Sequence, residues 1–88
     1  MWEFSKHALH RLDERGYPRR LILKVLQEEL PSIVLSSPRE ETVDLYFSMI
    51  DSMYVLIVVD RVSKTVVTVR PMRKKEKSAF IEEMENEE

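Results

Sequence analysis

The chain has 88 residues, a formal net charge of −2 and no cysteine. A chain of this size makes one domain with a thin core. The missing thiols exclude disulfides, cysteine nucleophiles and cysteine metal sites. No apolar run approaches the roughly 18 residues of a membrane span, and Met1–Lys6 has no signal-peptide apolar core, so the reading is no membrane and a cytoplasmic location. Asparagine and glutamine occur once each among many charges, a thermophile-like composition.

The charge is segregated. All 14 Lys and Arg fall within residues 1–77, whereas residues 78–88 hold five Glu and no base. The acidic end either folds back on the basic body or serves as a solubilising tail.

In chain order, Ser5 is a good N-cap for a helix running to Arg15, and Gly16 suits a left-handed stop. Ala8, Leu9 and Leu12 form its core stripe. His7, Arg11, Glu14 and Arg15 fall along the adjacent side. Pro18 then opens a second helix over about residues 18–30. Leu21, Ile22, Val25, Leu26 and Leu30 supply its buried face, Arg20, Lys24, Gln27 and Glu28 point away, and Pro31 stops it. This helix reads as scaffold.

From Ser32 the period changes to two. Ile33–Leu35 is a short strand candidate. Thr42–Ile50 alternates, with Val43, Leu45, Phe47 and Met49 assigned to the core side. Asp51-Ser52 is a tight turn. Met53–Val59 is apolar almost throughout, as expected of a central strand covered on both faces. Asp60–Lys64 turns the chain into a fourth strand, Thr65–Arg70, which Pro71 ends. Ala79, Phe80, Ile81 and Met84 give residues 76–85 a terminal helix. The expected fold is α+β: two N-terminal helices packed on one face of a four-stranded antiparallel meander, with a short C-terminal helix. Residues 1–85 form the single domain and residues 86–88 an acidic frayed tail.

Two basic stretches carry the candidate chemistry. In the first, His7 can exchange a proton near neutral pH, and Arg11 and Arg15 can hold a phosphate and stabilise charge developing on it. The structural alternative is a helix-start histidine bonded to backbone, with the arginines paired to Asp13 or Glu14. In the second, Arg70, Arg73, Lys74, Lys75 and Lys77 would attract a nucleic-acid backbone, or form ordinary solvated surface. Tyr46 and Tyr54, expected to lie near each other across the ladder, can stack bases or pack against the second helix or a partner chain. His7 and His10 lack a third ligand, so no metal is expected. Glycine motifs for nucleotides are missing as well, so no cofactor is assigned. The working expectation is that the sheet brings the two basic stretches into one cationic face.

The stretch Phe4-Ser-Lys-His-Ala-Leu-His-Arg-Leu-Asp-Glu-Arg-Gly16 resembles a group of small prokaryotic domains whose helix reads His-Ala-x-x-Arg-x-x-x-Arg-Gly. The ending Val-Arg-Pro-Met-Arg-Lys-Lys-Glu76 is similar to the Ala-Arg-Lys-x-x-x-x-Glu ending of BrnT-type toxins, which belong with the RelE-like toxins. The resemblance spans about residues 4–82. It implies a compact RelE-like α+β fold and a metal-free endoribonuclease of a toxin–antitoxin system. In such an enzyme an RNA 2′-hydroxyl attacks the adjacent phosphate at a cationic site. Carried onto this chain, His7, Arg11, Arg15 and Arg73 would be catalytic. Arg70, Lys74, Lys75, Lys77, Tyr46 and Tyr54 would bind RNA, and a cognate antitoxin would be a partner. The alternative is a non-catalytic, homodimeric RNA- or protein-binding domain on the same scaffold.

Overall fold

The computed structural model describes residues 1–86. Its elements are β1 (Glu3–Phe4), α1 (Lys6–Arg15), α2 (Arg19–Leu26), β2 (Ser32–Ser36), β3 (Val43–Ile50), β4 (Met53–Asp60), β5 (Thr65–Pro71) and α3 (Lys74–Asn86). The Ser5 hydroxyl accepts the Ala8 N–H at 3.0 Å and closes the first turn of α1. Gly16 ends that helix at φ 69°.

Helix α2 stops four residues before the expected end. Glu28 adopts φ 61°. Its N–H bonds the Val25 carbonyl, while the Glu29 N–H reaches Lys24. This is a Schellman-type stop with a non-glycine residue in the left-handed position. Because the helical periodicity of Leu21–Leu30 outlasts the helix itself, hydrophobic spacing alone placed the end too late.

The sheet is five-stranded and mixed, in the order β1-β5-β4-β3-β2. The β2–β5 part is the expected antiparallel meander. The fifth strand is a correction: Glu3–Phe4 pairs parallel to Thr65–Val66, on the outer edge of the start of β5. Two residues carry no readable periodicity, so hydrophobic spacing does not disclose this strand.

A second correction concerns the layers. Val55, Ile57, Val59, Val66 and Val69 pack with Ala8, Leu12, Ile22 and Val25, so α1 and α2 share one face. Helix α3 lies on the opposite face, where the Phe80 ring meets Tyr54 edge-on, at 6.0 Å between centroids. β4 is thus buried from both sides, as its composition foretold, with Leu56 only 2% exposed beside Val55 and Ile57 at zero. The expectation of helices on one face fails because it gave β4 only one helical cover.

The face assignment of β3 is also reversed. The two-residue turn pairs Ile50 with Met53, so each even-numbered β3 residue stands opposite an odd-numbered β4 residue. Tyr46, Ser48 and Ile50 therefore face α1 and α2, while Leu45, Phe47 and Met49 face the α3 side. Ser48 is fully buried and donates to the Pro31 carbonyl at 2.7 Å, which ties the end of the α2–β2 connection to the sheet. A buried serine among apolar neighbours is what made the odd-numbered residues look like the core set. Leu9, expected in the α1 core stripe, is 40% exposed.

α3 continues to Asn86, so the proposed tail begins within a helix. Glu87 and Glu88 lie outside the described residues.

Candidate functional site

The two basic stretches do not share a pocket. Helix α1 lies on the face formed by Val55, Ile57, Val66 and Val69. Arg70 stands opposite Leu56 in the β4–β5 register, and so projects to the other face, towards α3. The sheet separates the two, and the expected single cationic cleft is not formed.

Within the first stretch His7 and Arg15 are exposed, and neither has an ion-pair partner among the described residues. Arg11 donates to Glu14 Oε1 at 2.7 Å, and His10 Nε2 lies 3.6 Å from the other oxygen. The Arg11 hydrogen bond holds the Glu14 carboxyl below its usual range. Arg11 thus follows the structural alternative, whereas His7 and Arg15 remain unengaged on the outer side of α1.

The second stretch divides. Arg70 grips Glu76 through two hydrogen bonds of 2.9 Å, with both side chains about one quarter exposed. Glu76 also accepts the Arg73 backbone N–H at 2.7 Å. These bonds, Arg70 foremost, lower the Glu76 pKa, and the Glu76 bonds raise that of Arg70. Arg70 is therefore the clasp that joins β5 to the first turn of α3. Lys77 Nζ sits 4.7 Å from the Tyr54 ring centroid. Among the described residues, only Arg73, Lys74 and Lys75 of this stretch are exposed without a partner of this kind.

The tyrosines are separated too. Tyr46 is half-buried on the α1–α2 face, where burial raises its phenol pKa, while Tyr54 is on the α3 face. The register decides this: Tyr46 pairs with Ile57 and Tyr54 with Met49, so they point to opposite sides. They form no stacking platform.

Sequence reasoning overlooked two features. Residues 6–26 hold six Lys or Arg and both histidines against only Asp13 and Glu14. Arg20 and Lys24, assigned to scaffold, are exposed in the same helical layer as Arg15. Counting charge by element, rather than by local run, would have found it. The other feature is an apolar groove of about 570 Å³ between α3 and the β2–β3 edge, walled by Ile33, Leu35, Phe47, Ala79 and Phe80. No sequence signal placed α3 there.

Among the described residues no group of three or more His, Asp or Glu is arranged to hold a metal ion. Among the same residues no helix is long and apolar enough to cross a membrane. No family model matches this chain, and no curated protein or solved structure is significantly similar to it.

Proposed function

We propose that this chain is an RNA-binding domain that engages the phosphate backbone through the outer surface of α1 and α2. The observation that carries the reading is the charge of residues 6–26: six cations, with Arg11 paired to Glu14 and Arg19 lying over Phe4, and two histidines against two carboxylates. A surface of this kind concentrates phosphate without needing a cleft. The β5–α3 stretch is the weaker candidate. Arg70 is committed to Glu76, Lys77 lies over Tyr54, and Glu82, Glu83 and Glu85 follow in the same helix.

Binding should weaken steeply with salt, and each lost phosphate contact should reduce the log–log salt slope by about 1. Replacing Arg15, Arg20 and Lys24 together by Gln should weaken binding strongly. Replacing Arg73, Lys74 and Lys75 should do much less. Equal losses from the two triple variants would remove the assignment to α1–α2, and no binding by the wild type would remove the function.

A second reading, toxin-like endoribonuclease activity, has one observation in its favour. His7, Arg11 and Arg15 stand at successive turns of the solvent side of α1, with an exposed imidazole at the helix start. His7 would move the proton while Arg15, and Arg11 once released from Glu14, would stabilise the phosphorane charge. Its test is labelled RNA incubated with EDTA, wild type beside His7→Ala. Intact RNA in both lanes leaves binding alone.

A further inference from the structure

The two edges of the sheet are treated differently. The outer edge of β5 is paired by β1 at Thr65 and Val66 and bonded by Ser5 at the Val66 and Val67 carbonyls, and the strand is bulged between Val66 and Thr68 and closed by Pro71. These are the usual protections of an edge strand. The edge at β2 is neither covered nor bulged, and its prolines, Pro31 and Pro38, stand outside the strand. Ser32-Ile-Val-Leu-Ser36 carries no charge, proline or bulge, and Val34 and Leu35 are 43% and 53% exposed.

The free backbone groups of β2 can be identified. Ser37 N–H bonds the Val43 carbonyl, and Ser37 and Val43 continue the β2–β3 register. Hydrogen-bonded pairs alternate along an antiparallel ladder, so Ile33 and Leu35 also bond inward to β3. Ser32, Val34 and Ser36 then present their N–H and C=O groups outward. We infer that β2 is a self-pairing edge, on which a second copy of this chain docks antiparallel about a two-fold axis at Val34.

The strand reads nearly the same in both directions around Val34. The two-fold register places Ser32 opposite Ser36 of the partner subunit, Ile33 opposite Leu35 of the partner subunit, and Val34 opposite its own copy. Every outward backbone group is then paired, giving about six intersubunit hydrogen bonds. Shifting the register along the strand leaves some of them unpaired. An isologous C2 contact needs a self-complementary patch, and β2 is one.

The side chains match the backbone. Ile33 and Leu35 wall the groove beneath α3, which runs to this edge. In the dimer, the partner's Leu35 stands beside Ile33, so the grooves of the two copies join into one apolar seam. At the strand ends, Arg39, which has no ion-pair partner among the described residues, comes to the end occupied by Glu28 and Glu29 of the partner subunit. Glu40 in the same loop opposes this attraction, so the ends help set register more than affinity. One strand pair with this seam belongs at the small end of specific interfaces, where exchange between monomer and dimer is concentration-dependent.

The test is sedimentation across a concentration series. Wild type should shift from 10.5 kDa towards twice that mass. Val34→Pro should remain at the monomer mass throughout. The Val34 N–H points outward, so the substitution removes no bond within the chain, and far-ultraviolet circular dichroism checks the fold. Val34→Lys provides a second variant if proline disturbs folding. Because the chain has no cysteine, Val34→Cys introduces a single thiol on the axis. Hydrogen-bonded antiparallel pairs stand about 5.5 Å apart at Cα, within the range of about 4.4–6.8 Å that a disulfide spans. Oxidation should therefore give covalent dimer at Val34→Cys and little at Val62→Cys, which is exposed on the β4–β5 turn. A wild type that stays monomeric, a dimer indifferent to both Val34 variants, or equal cross-linking at both cysteine sites overturns the inference.

Discussion

Breaking the clasp between Arg70 and Glu76 is the sharpest test of whether the second basic stretch builds structure or binds ligand. An exposed ion pair contributes about 0.2–1 kcal/mol, whereas removing one partner of a buried pair costs about 3–5. This pair lies between those limits: two hydrogen bonds of 2.9 Å between groups roughly one quarter exposed. Either Arg70→Met or Glu76→Gln should then cost about 2 kcal/mol. At roughly 4–8 °C per kcal/mol for a domain of this size, the midpoint falls by about 8–16 °C.

Glu76→Gln also loses the ionised acceptor of the Arg73 N–H, so it should be the more damaging of the two. In a double-mutant cycle by thermal or urea unfolding, the pair should show a coupling above about 1 kcal/mol. The pH dependence has a definite sign. Glu76 has a folded pKa below its ordinary 4.5, so its contribution is complete above that value and disappears as pH falls through the lower, folded value. The gap between wild type and Glu76→Gln should therefore be full at pH 7 and close in acid. Additive single effects, or a gap that widens in acid, would refute the argument. So would a loss of RNA affinity in Arg70→Met as large as that from the α1–α2 triple variant.

Three further outcomes follow from local geometry. Ser48→Ala should cost about 1–2 kcal/mol in urea unfolding, because the Pro31 carbonyl loses its buried donor. Ser52→Gly should stabilise by about 0.5–1 kcal/mol, since Asp51 and Ser52 have φ of 50° and 66°, the mirror-image hairpin turn that favours glycine at its second position. Gly16→Ala should destabilise by about 1 kcal/mol through backbone strain alone, because a Cβ there meets no atom within 4 Å. If Gly16→Ala instead left the unfolding midpoint unchanged, the left-handed stop of α1 would not need its glycine.

Local signals in the chain were sufficient for much of the fold. Ser5 and Gly16 bound α1 because capping depends on neighbours a few residues away. Asp51-Ser52 turns the β3–β4 hairpin, and the unbroken apolar run of β4 announces burial on both faces. The charge of the helical layer was equally present in the residues, although a search for short basic runs passed over it. Other features depended on registration between distant segments. One ladder shift decides whether Tyr46 or Phe47 meets α2, and alternation along β5 sends Arg70 away from α1.

The partner of Arg70 was equally hidden, since nothing in the composition of Arg70–Lys77 marks Glu76 as its clasp. The two-residue β1 and the side on which α3 lands were likewise settled by packing. Covering the second face of β4 removes more apolar surface from water than crowding a third helix onto the first. Sequence by itself thus determined the helices, hairpins and apolar stripes, each set by contacts within a few residues. Which charged side chains share a surface was decided only when the sheet assigned every alternate residue to one of two faces.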